Sequence, residues 1–175
     1  MKTLLFFISF LLLSGYAGAQ KKADYGVLKK PDEEVLFGFL LKKSNKMVLI
    51  CNQKDDKYLV YRFGTKDKIE LQYPNVLNVA SWKAFRYSGY SRGGGRQNLA
   101  MEMHSLTFKN NQVVYKIKDE SEAEHNENSA SIIIKTNGKK TELAGRAFSK
   151  DGSLGWLTGK EDLIHNYYWD DIEGK

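Results

Sequence analysis

From Lys68 to Tyr73 the chain alternates strictly, with Ile69, Leu71 and Tyr73 on one side and Lys68, Glu70 and Gln72 on the other. A period of two belongs to an extended strand with one buried face. Other apolar runs are short and unbroken: Val35–Lys42 (VLFGFLLK), Lys46–Asn52 (KMVLICN) and Tyr58–Phe63 (YLVYRF). Ser44-Asn45, Gly64 and Pro74 punctuate them as turn formers do. Trp82–Tyr90 is aromatic and strand-prone. From Asn98 to Phe108 the apolar positions move from Leu99, Met101 and Met103 to Leu106 and Phe108. A shift from odd to even predicts one inserted residue, a bulge near His104-Ser105. Val113, Tyr115 and Ile117 return after Asn110-Asn111. Ser131–Thr136 and Lys139–Ala144 flank Asn137-Gly138, whose residues both accept positive φ, so a two-residue hairpin is expected. Leu154–Trp169 has the spacing for one short helix. The sum is an all-β chain of about eight to ten strands, an antiparallel β-sandwich or small β-barrel with at most a short C-terminal helix.

The first residues stand apart. Lys2 precedes a largely apolar run, Leu4–Leu13, and the small residues Ala17-Gly18-Ala19 follow. This order predicts a secretory signal peptide over residues 1–19, cleaved before Gln20. The run is too short for the roughly 20 residues that a spanning helix needs. Residues 20–34 are polar, contain Pro31 and lack periodicity, and are expected to form a flexible N-terminal arm. Residues 35–175 then form a single β-rich domain without a transmembrane segment. The expected location is periplasmic or secreted.

Composition narrows the chemistry. The formal net charge is +6, from 27 Lys+Arg against 21 Asp+Glu. Both signs interleave, as in KDDK at 54–57, which describes a solvated surface. A nucleic-acid binder concentrates its basic residues more strongly, so no nucleic-acid partner is expected. Cys51 is the one cysteine, so no internal disulfide can form. It closes the run Met47–Ile50 and reads as a small buried hydrophobe. His104, His125 and His165 lack zinc spacing. Asp119–Asn128 (DESEAEHNEN) lacks the glycine and ordered oxygens of a calcium loop and reads as a solvated acidic loop. No metal and no cofactor is expected. No nucleophile signature is present. Glu70 and Glu102, on polar strand faces, are the carboxylates a glycan hydrolase would need the fold to assemble.

One stretch competes as a site: SGYSRGGGRQN, Ser88–Asn98. Consecutive glycines followed by a strand pattern exclude a P-loop or dinucleotide turn, both of which lead into a helix. Tyr87, Tyr90, Arg92, Gly93, Gly94, Gly95 and Arg96 form the candidate ligand-binding set. Exposed amides and arginines suit an anionic or carbohydrate ligand. The plainer alternative is a glycine-rich connector between strands.

Four segments, YLVYRFGTKDKIELQYP (58–74), YSRGGGRQN (90–98), LTFKNNQVVYKIKDE (106–120) and SASIIIKTNGKK (129–140), carry a resemblance over roughly residues 46–144. The chain resembles a family of small exported bacterial all-β proteins with a YRFG strand, an IEL-x-YP strand and a YS-x-GGG loop. The resemblance implies export and a β fold and transfers no catalytic residue. A second cysteine, which the family carries near Leu143-Ala144-Gly145, is missing here, so its disulfide does not transfer.

These features point to an exported bacterial envelope protein that acts as a non-enzymatic binding or interaction module, with an envelope protein or an anionic or glycan ligand as partner. One alternative is an inhibitor or immunity protein against a cell-wall hydrolase. The other is a glycan-acting hydrolase with paired carboxylates.

Overall fold

The computed structural model describes residues 24–95, 98–123 and 127–166. The predicted signal peptide, Arg96 and the end of the expected C-terminal helix lie outside the described residues. Among these residues eleven strands follow in order: β1 Glu33–Leu40, β2 Met47–Gln53, β3 Leu59–Thr65, β4 Lys68–Tyr73, β5 Arg86–Arg92, β6 Met101–Asn110, β7 Val113–Glu122, β8 Glu127–Thr136, β9 Lys139–Ala144, β10 Asp151–Gly152 and β11 His165–Asn166. They form two sheets, β10-β1-β2-β3-β4 and β11-β5-β6-β7-β8-β9. The fold is an all-β sandwich, antiparallel except for the β11–β5 pair. Among the described residues helical structure is limited to short 3-10 turns. No helix among them is long and apolar enough to cross a membrane.

The core explains the unbroken apolar runs. In β2, Val48 and Ile50 face the other sheet and join Tyr61, Leu106, Phe108, Ile117 and Ile132. Met47, Leu49 and Cys51 face outward, yet are buried too, under Tyr25 and Leu28. A strand covered on both faces has no reason to alternate. Phe108 is the aromatic hub, with ring centroids 4.4 Å from Tyr73, 4.8 Å from Tyr61 and Tyr115, and 5.6 Å from Phe85. Burial pushes the Cys51 thiol up to about 12, the nearby Glu33 charge adding to it. A neutral, inert thiol results.

The expected flexible arm is packed from Asp24 onward. A 3-10 turn, Gly26–Leu28, lays Tyr25 and Leu28 on the outer face of the first sheet. Glu33 and Arg62 lock it there. Arg62 Nη1 and Nη2 donate to Glu33 Oε2 (2.6 Å) and Oε1 (2.8 Å), and Nη1 also donates to the Leu28 carbonyl (2.9 Å). Tyr58 Oη and the Lys30 amide donate to the same carboxylate at 2.7 and 2.8 Å. Polar composition hid this packing, because only two apolar side chains of the segment make it.

Three further expectations are corrected. β6 pairs with β5 and β7 in unbroken register through Gly89–His104 and His104–Asp119, so there is no bulge near His104-Ser105. The apolar frame shifts because Met101 and Met103 lie on the outer face beyond the core. The register breaks are elsewhere, between Val35 and Phe37 in β1 and at Phe63/Gly64 opposite β4. The second interrupts the alternation of Lys68–Tyr73. Leu71 and Tyr73 pack on the core while Ile69 is exposed. Asp119–Glu122 is strand, not loop, and Glu127–Ser129 already belongs to β8. The sheet overhangs the core there, so polar residues continue the strands.

Asn137 (φ 47°) and Gly138 (φ 72°) form the expected two-residue turn. Gly138→Val should lower stability by about 1 kcal/mol or more, because a β-branched residue resists positive φ. Chemical denaturation of the variant checks it.

Candidate functional site

The inner face of the second sheet changes character row by row. Tyr87, Leu106, Ile117 and Ile132 pair across four strands as core. The next row is Gly89, His104, Asp119 and Ala130, and the row beyond it is Ser91, Glu102, Ser121 and Asn128. Polar groups thus begin where the core ends, at the overhanging end of the sandwich.

The segment after β10 roofs this end. Ser153 caps a 3-10 turn, Leu154–Leu157, by accepting from the Gly155 amide. With about three residues per turn, positions three apart share a side. Leu154 and Leu157 accordingly plug the core, and Trp156 is left 45% exposed. Asp119 fixes the turn to the sheet. Its Oδ2 accepts from Ser153 Oγ and the Leu154 amide, both at 2.8 Å, and its Oδ1 accepts from Lys150 Nζ at 2.7 Å.

Beside it runs a hydrogen-bonded chain that leads from buried His104 and Tyr87 to exposed Thr158. Tyr87 Oη lies 2.8 Å from His104 Nδ1 and 2.9 Å from Thr158 Oγ1. Burial pushes the Tyr87 phenol up, with Asp119, Glu161 and Glu102 adding to the shift against the Thr158 hydrogen bond. The hydroxyl therefore stays protonated and can hold both partners. Two glycines make room. A Cβ at Gly89 would sit 2.4 Å from Tyr87 Oη, and one at Gly155 would sit 3.0 Å from His104 Nε2.

Between the roof, the start of β1 and the overhanging sheet lies a cleft of about 630 Å³. Trp156, His104, Glu102, Ser91 and Thr158 line it from one side, and Glu34 and Val35 of β1 from the other. Lys160 Nζ stands 4.7 Å from the Trp156 ring centroid, a cation–π distance, and donates to Asp56 Oδ2 at 2.6 Å. The arrangement offers an aromatic surface with carboxylate, hydroxyl and imidazole groups around it, as sites for small polar ligands do.

The sequence-predicted set is divided. Tyr87 is buried on the inner face, while Tyr90 is 45% exposed on the opposite face of the same strand. Arg92 donates from Nε and Nη2 to the Leu99 carbonyl at 3.3 and 3.2 Å, which closes the loop on itself. Arg92 and Gly93 line a smaller hollow, of about 440 Å³, that shares Ser91 and Glu102 with the cleft. Gly93 and Gly95 have open space where a side chain would be, and Gly94 only ordinary contact with Ala100. The Gly95 amide donates to Asn98 O at 2.7 Å. Arg96 is outside the described residues. Glu70 pairs with Lys46 at 2.6 Å on the first sheet and takes no part. His104, Asp119, Ser153, Trp156 and Thr158 were missed by the sequence reading. A usable signal was present in Gly89 and Gly155, single glycines beside aromatic residues.

No family model, curated protein or solved structure matches this chain. The site is therefore read from its own geometry. Among the described residues no group of three or more His, Cys, Asp and Glu side chains is placed to hold a metal ion.

Proposed function

We propose that this chain is an exported binding module of the bacterial envelope that takes a glycan in the cleft at the end of the sandwich. The observation that carries the reading is Trp156, an indole kept exposed by a turn whose neighbours are buried, beside Glu102, Ser91 and His104. A sugar presents an apolar ring face edged by hydroxyls. An indole covers the first, and carboxylate, serine and imidazole groups pair with the second. Export rests on the order of residues 1–19. The rigid Asp119 and Tyr87 networks support binding without a large rearrangement.

Titration of the purified protein with soluble cell-wall glycan fragments, followed by isothermal calorimetry, tests the reading. Trp156→Ala should weaken binding by about 2 kcal/mol, roughly thirtyfold, as for a central aromatic anchor. Unchanged affinity would remove the cleft from consideration. A second reading, a glycan-acting hydrolase, is favoured by Glu34 and Glu102 lining the same cleft from different sheets. Incubation with the same fragments separates the two. Reducing ends that accumulate with the parent protein and vanish in Glu102→Gln would establish the hydrolase.

A further inference from the structure

The turn between β9 and β10 carries the most exposed large apolar side chain of the described residues. Phe148 is 104% exposed and has φ 59°. The left-handed region crowds a bulky side chain against its own backbone. Yet the turn is firmly held. The Arg146 amide donates to the Leu40 carbonyl at 2.7 Å. Ser149 Oγ donates to the Arg146 carbonyl at 2.7 Å and accepts from the Leu40 amide at 3.2 Å. Nothing inside the fold calls for phenylalanine here. Glycine would take the same φ without strain. A strained, exposed aromatic on a rigid support is a reason to look outward for its role.

Its neighbours say what it faces. The Lys42 amide donates to the Ala144 carbonyl at 2.9 Å, which docks the β1–β2 connection beside the turn. Arg146 Nη2 lies 3.5 Å from the Ser44 carbonyl. Lys42, Lys43 and Arg146 are all exposed. Residues 41–46 and 144–150 contain no Asp or Glu. Lys46 and Lys150 are paired with Glu70 and Asp119. The acids nearby, Asp24, Asp67 and Asp151, line the hollow beside Phe148 and belong to other segments.

We propose that this tip docks on an anionic lipid surface, with Phe148 entering the boundary between headgroups and acyl chains and Lys42, Lys43 and Arg146 facing the phosphates. An exposed aromatic residue with Lys42, Lys43 and Arg146 on its own turn and the adjoining connection offers the chemistry of reversible attachment to such a surface, with the three aspartates of the neighbouring hollow opposing it. A second copy of the chain fits less well, since a two-fold contact through this tip would oppose like charges. The inference is independent of the glycan cleft, which lies by Trp156 and Glu102.

Flotation of the purified full chain with phosphatidylglycerol–phosphatidylcholine vesicles tests it, with phosphatidylcholine vesicles as the neutral comparison. The chain should float with the anionic vesicles, be released by high salt, and stay behind with the neutral ones. Phe148→Gly should lower the bound fraction at limiting lipid at least tenfold while melting at or above the parent temperature. Lys43→Glu combined with Arg146→Glu should abolish flotation. No flotation with anionic vesicles, equal flotation with neutral ones, or a Phe148→Gly variant that floats like the parent would overturn the proposal. The last result would assign any attachment to charge alone, and salt-resistant binding to a purified acidic protein in place of vesicles would give the tip to a protein partner.

Discussion

Glu33→Gln is expected to destabilise the protein by about 3 to 5 kcal/mol, the range for removing one partner of a buried ion pair. The Arg62 and Glu33 side chains are 1% and 0% exposed. With a neutral amide at position 33 the guanidinium keeps its charge in a site closed to bulk solvent. Arg62→Met should cost a similar amount by stranding the carboxylate. The double change Glu33→Gln with Arg62→Met should cost much less than the two single changes together. Denaturant titrations of the three variants check this. The pair also makes a pH prediction. Burial by itself raises the Glu33 carboxyl, but the Arg62 hydrogen bonds, the Lys30 amide, the Tyr58 hydroxyl and the Arg62 charge together outweigh it and hold it below the usual range. A carboxyl depressed in the folded state gives stability that is present above its unfolded value, about 4.3, and is lost as pH falls through the folded value. The gap between parent and Glu33→Gln should therefore be constant near neutrality and close in acid. A gap that widens in acid would reverse the assignment. Because this pair fastens Tyr25 and Leu28 over Cys51, Glu33→Gln should also speed thiol labelling of Cys51.

Asp119→Ala carries the second large effect, about 3 kcal/mol. It strands the Lys150 ammonium and leaves the Ser153 hydroxyl and the buried Leu154 amide without their acceptor. The damage should concentrate at the roof of the cleft, since Leu154, Leu157 and Trp156 follow directly on the atoms that Asp119 holds. Glycan affinity should drop along with stability. Lys150→Met separates the parts, because it removes only the ion pair and leaves the Ser153 and Leu154 contacts. It should retain most of the affinity. Thermal melting together with the calorimetric titration measures both. If Asp119→Ala kept the parent affinity, the roof would not depend on this carboxylate.

Strands, turns and the all-β class were legible along the chain because their causes are local. The Asn137-Gly138 turn follows from which residues accept positive φ, and Leu71 and Tyr73 took the inward face that alternation gave them. The candidate site was much less legible. Tyr87 and Tyr90 stand three apart in one strand and so point to opposite faces, which divided the predicted set. Asp119 was assigned to a solvated acidic run because its neighbours are acidic, while its pairing with His104 turned it inward. Its partners Lys150 and Ser153 come from a segment about thirty residues away and no local pattern links them.

Sequence alone determined the strand-forming runs, the turn chemistry and the absence of an internal disulfide, each a property of neighbouring residues or of composition. Tertiary structure decided which faces are covered and which polar groups meet. Tyr25 and Leu28 became core only because β2 offered an apolar outer face, and Glu33 found Arg62 only through the β1–β2–β3 register. The cleft arose in the same way, because the second sheet extends past the core and needed a roof from the chain beyond β10. Burial and long-range pairing are properties of two segments at once, so neither segment's sequence states them by itself.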